Sequence, residues 1–150
     1  MIRIYLLLFV TLSLNLLASE VIDIKFIDSS QNIYQTTHLL EDIKSNNHME
    51  FHNANVLLIE TPSLDNKYFK TQNHELEKFG IMAETYQVLF VVASAKEEHQ
   101  HGYHTTVETA KKLFGEHLHF RVRLLNARGI VLHESVQPVT ASGLKRWLEQ

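Results

Sequence analysis

The sequence predicts a small α/β layer fold, a mixed sheet with helices on both faces. Three observations predict it. Two continuous apolar runs of strand length, NVLLIET at Asn55–Thr61 and TYQVLFVVAS at 85–94, fit strands covered on both faces. A segment with helical spacing follows each run. FRVRLLNARGIVLHES, 120–135, then places two strand-like stretches around the turn NARG, which is the pattern of an antiparallel hairpin.

The elements follow in order. Residues 1–18 hold one basic residue, Arg3, and an apolar run from 4 to 17, and end on small Ala18 before Ser19. These are the three regions of a secretory signal peptide, and cleavage after Ala18 is expected, or after Ser19. The run is short for a membrane helix, so no span is expected after cleavage. A single domain over 19–150, with its core at 55–150, remains, in a periplasmic or secreted location. VIDIKF, 21–26, alternates apolar and polar residues and predicts a strand in front of the core. QTTHLLEDIKS predicts a short helix, and SNNHMEFHN a loop.

After the strand Asn55–Thr61, Tyr68, Phe69, Gln72, Leu76 and Phe79 fall near helical spacing, with Asp65 as the expected N-cap and Gly80 as the C-terminal stop. TTVETAKKLFG predicts a helix capped by Thr105 or Thr106 and ended by Gly115. LHFRVRLLN, 118–126, alternates, with Arg121 and Arg123 expected on a solvated face. TASGLKRWLEQ is the closing helix, capped by Thr140 or Ser142, with Leu144, Trp147 and Leu148 on its apolar side.

Composition removes several function classes. The net charge is −3, so nothing marks a phosphate-binding surface and no nucleic-acid partner is expected. There is no cysteine. That excludes a disulfide framework, a nucleophilic thiol, a redox pair and a thiolate metal ligand.

LLIETPSLDNKYFKTQ, 57–72, and FRVRLLNARGIVLHES, 120–135, with the helix after them, resemble an uncharacterised family of short bacterial secreted thioredoxin-like domains. The resemblance covers about 55–150, and NARG stands where that family tends to place a Lys-Asp-Gly turn. It implies the thioredoxin-like order βαβαββα with an N-terminal strand added. In redox-active thioredoxins the two cysteines sit between the first βα strand and its helix. The matching residues here, 61–69, carry Ser63 and Asp65 but no sulfur. No proline stands immediately before 118–125, where redox thioredoxins usually place a cis-proline. Thiol exchange and peroxide reduction are therefore excluded.

The remaining chemistry is concentrated in EHQHGYHTTVE, 98–108. His99, His101 and His104 have the spacing H-x-H-x-x-H. A metallohydrolase of the H-x-H-x-D-H type needs an acid where Tyr103 stands. A Zn- or Cu-binding loop, with Glu97 or Glu98 adding an oxygen, is the second reading. The first is a polar loop that holds no preformed site, because Gly102 loosens the backbone between two of the histidines. His119 and His133 could face each other across the hairpin, beside His117. Arg121, Arg123 and Arg128 could meet an anion or an acidic protein partner. Ser63 lacks a nucleophile elbow. The expected function is a non-catalytic accessory or binding domain with no cofactor and an unknown partner, and the alternative is metal binding through His99, His101 and His104.

Overall fold

The computed structural model describes residues 19–98, 100–116 and 119–150. The leader, 1–18, and its cleavage fall outside the described residues, as do His99 and His117. Seven strands form one sheet in the order β2-β1-β5-β4-β3-β6-β7. They are β1 (Lys25–Ile27), β2 (Ile33–Gln35), β3 (Asn55–Thr61), β4 (Val88–Ser94), β5 (Tyr103–His104), β6 (Arg121–Leu125) and β7 (Val131–Ser135). The helices are α1 (Leu39–Asn47), α2 (Lys67–Tyr86), α3 (Val107–Phe114) and α4 (Ala141–Glu149), and a 3-10 turn, Thr36–His38, leads into α1. β3, β4 and β5 run parallel, while β6, β7, β1 and β2 are joined antiparallel.

The two apolar runs are the two central strands. β3 is buried along nearly its whole length, and its alternate residues feed opposite layers. Val56 and Leu58 pack with Leu39 and Ile43 of α1 and Ala110 of α3. Leu57 and Ile59 pack with Leu76 and Phe79 of α2 and Leu144 of α4. The predicted layer architecture is therefore present, with α1 and α3 on one face and α2 and α4 on the other. Among the described residues no helix is long and apolar enough to cross a membrane.

Four local expectations are corrected. Gly80 does not stop α2, which continues to Tyr86. A helical glycine costs about 1 kcal/mol relative to alanine. The apolar stripe from Phe69 through Leu76 and Phe79 goes on to Ala83 and Tyr86, and its burial outweighs that local cost. The helix instead ends at Gln87, left-handed at φ 51°. Residues 85–87 consequently leave the predicted strand.

Asp65 is not the N-cap. Asn66 takes that place, its side-chain oxygen accepting from the N–H groups of Tyr68 at 2.9 Å and Phe69 at 3.2 Å. Asp65 pairs instead with Lys70 at the surface. Replacing Asn66 by alanine is expected to cost about 1 kcal/mol, read as a lower urea midpoint at unchanged slope. The same change at Asp65 should fall within about 0.5 kcal/mol of zero.

The N-terminal strand is shorter than the alternation suggests. Ile22, Ile24 and Phe26 are buried as expected, but ladder pairing begins at Lys25. The earlier backbone finds other partners: Ile22 N–H donates to Gly129 O at 2.8 Å and Ile24 N–H to Thr36 Oγ1 at 3.0 Å. This is why the NARG turn needs its glycine. Gly129 has φ 76°, and a Cβ there would stand 2.5 Å from Ile22 O. Finally, the histidine stretch is not loop throughout. Tyr103 and His104 form β5, between β4 and β1, and the Tyr103 ring packs edge-on against Phe26 and Tyr34.

Candidate functional site

The three parallel strands end on the same side of the sheet, at Thr61, Ser94 and His104. Open α/β sheets bind ligands outside the carboxyl ends of their strands. Here the loop after β3 is tied down by side chains. Thr61 Oγ1 donates to Ser63 O at 2.8 Å, and the Asn66 N–H donates to the same carbonyl at 3.2 Å. From the loop after β4, Glu98 Oε2 accepts from Leu64 N–H at 2.8 Å and from Ser94 Oγ at 3.2 Å. A carboxylate thus bridges the loops after β3 and β4. Its acceptor oxygen pairs with donors that need one, which holds the β3–α2 turn in place without sulfur.

Beside this clamp a cavity of about 400 Å³ opens, lined by Ile27, Glu97, Glu98, Gln100, His104, Thr105, Thr106, Val107 and Glu108. The structure therefore brings His104 together with Glu97 and Glu98. His101 goes elsewhere, to an apolar groove between α2 and β4 that it lines with Gly102 and Tyr103. The alternation of β5 and the turn at Gly102, φ 78°, send the two histidines apart. His104 Nδ1 lies 3.0 Å from Gly102 O, a contact that sets the orientation of the ring. His99 lies outside the described residues. Among the described residues no three His, Asp or Glu side chains are placed to hold one metal ion.

A second cavity, about 290 Å³, lies on the α3 face near Glu60, Arg121, Arg123, His119 and the segment Glu20–Asp23. Sequence reasoning missed its centre. Glu60 is 3% exposed and Arg123 5% exposed. Arg123 Nε stands 3.4 Å from Glu60 Oε2 and 3.5 Å from Glu134 Oε2, and its Nη1 is 3.7 Å from Glu20. The guanidinium also lies over the Phe114 ring, 5.6 Å from its centroid. Burial pushes the Glu60 carboxyl up to about 7, and the Arg123 and Arg121 charges only partly oppose that rise.

Arg123 is thus not on a solvated face, as its alternation suggested. It points under α3, where three carboxylates meet it. The available signal was Glu60 itself. An acid inside a strand that is apolar on both sides implies a buried partner of opposite sign. Arg128 is at the exposed hairpin tip and does not join this group. His119 and His133 do not face each other either. His119 lines the Glu60 cavity, whereas His133 stacks on Trp147 of α4, 5.3 Å between centroids, on the other side of the sheet.

No family model matches this chain, and no curated protein does. Solved structures do. The chain is similar to the peroxidoxin BcpB of Mycobacterium tuberculosis, at 10% identity and a TM-score of 0.60 over 87% of this chain and 93% of that one. It is similar to the exposed lipoprotein thioredoxin of Streptococcus pneumoniae, at 12% identity and a TM-score of 0.55 over 85% and 98%. It is also similar to the thioredoxin domain of a thiol-disulfide oxidoreductase from Bacteroides vulgatus, at 13% identity and a TM-score of 0.55 over 81% and 90%. The fold is thioredoxin-like, and this chain carries it without a cysteine.

Proposed function

We propose that this protein is an exported, redox-inactive thioredoxin-like domain that binds a ligand or partner instead of catalysing a reaction. The observation that carries the reading is the Glu98 clamp. The turn that holds sulfur in redox thioredoxins is here closed by a carboxylate bonded to Leu64 N–H and Ser94 Oγ, beside a ligand-sized crevice. A thiolate is the reacting group in disulfide exchange and peroxide reduction, and no residue of this chain supplies one. The crevice at the strand ends remains as a binding surface.

Export is supported by the sequence of 1–18. Two measurements test the proposal. Purified protein should reduce no insulin disulfide and turn over no peroxide above buffer; activity in either assay would overturn the binding reading. Intact mass of protein from the native envelope should begin at Ser19 or Glu20. A chain beginning at Met1 in the cytoplasm would remove the exported part of it.

A further inference from the structure

The strand-end crevice has a chemical bias. Among the described residues its lining holds three carboxylates, Glu97, Glu98 and Glu108, one imidazole, His104, and neither Lys nor Arg. Two polar atoms in its wall are left over. Gln100 Oε1 and Thr105 Oγ1 are buried and have no hydrogen-bond partner. Thr105 as a whole is 2% exposed. Buried polar atoms are nearly always paired, because an unpaired one has lost its hydration and gained nothing. Such atoms on a cavity wall mark where a ligand completes the set.

The missing groups are donors. Carboxylates and an amide oxygen only accept, and the Thr105 hydroxyl accepts as well as it donates. The start of α3 works against a cation, since its free N–H groups carry about half a positive charge. Thr106 Oγ1 occupies one of those N–H groups, that of Thr109 at 3.1 Å, and Glu108 stands in the first turn. Three carboxylates outweigh what remains, so the crevice selects a donor that carries positive charge. A metal ion is the poorer match. The acids do not converge, and about 400 Å³ is far more than one ion fills. Ile27 and Val107 add apolar wall, which suits a carbon stem.

We propose that this crevice binds a protonated organic amine, with the three N–H groups of the ammonium donating to Thr105 Oγ1, Gln100 Oε1 and the Glu108 carboxylate, Glu97 adding its charge nearby, and a short alkyl stem against Ile27 and Val107. The inference rests on the reading of the crevice as the ligand site of a binding domain. It extends that reading to a ligand class: a small alkylamine, or a lysine side chain presented by a peptide.

Calorimetry with n-butylammonium on the purified protein is the test, with n-butanol as the uncharged control. One-to-one binding is expected in the range of ~0.1–1 mM for so small a ligand, weakening as salt is raised. Butanol should not bind. Thr105→Val and Glu108→Gln should each weaken binding about fivefold or more through loss of one charge-directed bond. Thr105→Val should also raise the melting temperature of the unliganded protein by roughly 2–6 °C, because it deletes an orphaned hydroxyl. That opposite movement of affinity and stability is what a purely structural threonine would not give. No heat with butylammonium, butanol binding equally well, or unchanged affinity in both variants would each overturn the proposal. Submicromolar one-to-one Zn binding would replace it with a metal site. These outcomes are separate from the insulin and peroxide assays, which test the parent reading alone.

Discussion

Replacing Arg123 by methionine is expected to cost about 2–3 kcal/mol of unfolding free energy near pH 9, where Glu60 is relieved only by taking up a proton. The substitution preserves length and packing but leaves Glu60 buried without its counter-ion. The loss is not the worth of an ion pair at a surface, which would be near zero to about 1 kcal/mol. It is the cost of an uncompensated charge, because Glu60 is 3% exposed and follows the apolar run Val56–Ile59 in β3. The Glu60→Leu, Arg123→Met double variant should recover most of the loss, since Glu20 and Glu134 lie at the rim and can be hydrated. Urea unfolding of the four proteins gives the cycle. A double variant no more stable than Arg123→Met alone would contradict the argument.

The effect depends on pH, and its sign follows from Glu60. The carboxyl titrates near 7 in the folded protein, against an ordinary value of 4.5. The folded state then binds the proton more tightly than the unfolded one. The stabilisation is fully present below about pH 4.5 and is lost as pH rises through about 7. In the wild type this group alone accounts for roughly 3 kcal/mol across that window. Asp28 acts in the opposite direction. Burial pushes it up, but hydrogen bonds from Asn32, Tyr34 and Ser30 hold it below the usual range, so its contribution is lost in strong acid. In Arg123→Met, Glu60 can escape its charge by protonating. The destabilisation should therefore shrink well below its alkaline value near pH 5.

These two residues show what the sequence makes legible and what it does not. The layers could be read because β3 and β4 are long enough for continuous apolarity to count. Strands of two or three residues, such as β5 and β2, carry no period, so Tyr103 and His104 read as loop. The end of α2 was misplaced because Gly80 is a local signal, and it lost to burial of Ala83 and Tyr86, which only the tertiary fold supplies. Arg123 was assigned to the wrong environment for a related reason. Alternation reveals which residues share a face of β6, but not that α3 and the segment Glu20–Asp23 cover that face. The strand-end crevice is assembled from the end of β1, the β4–β5 loop and the stretch from β5 into α3, segments that no single sequence pattern joins.

Gln72 is the counter-example, a polar residue whose role can be argued from its position. It sits on the apolar stripe of α2 between Phe69 and Leu76, so it must face the core and must be paired there. It is fully buried. Its Nε2 donates to Val139 O at 3.0 Å and its Oε1 accepts from Val139 N–H at 2.7 Å. One side chain thereby replaces a rung of backbone pairing for the residue that leads into α4. Next to it, Glu75 Oε2 accepts from Ala141 N–H at 3.0 Å, and Thr140 caps the helix through Gly143 N–H at 3.1 Å. Replacing Gln72 by leucine keeps volume and adds apolarity, yet strands both backbone groups of Val139. Each orphaned group costs about 1–3 kcal/mol, which gives a loss of about 2–5 kcal/mol. Gln72→Glu should be nearly as harmful, since a carboxylate can accept from Val139 N–H but cannot donate to its carbonyl. Hydrogen exchange adds the discriminating readout: in both variants the amides of α4 should exchange faster while those of β3 and β4 keep their protection relative to the global stability. Protection lost evenly across the sheet would mean that Gln72 supports the whole core instead of the docking of α4.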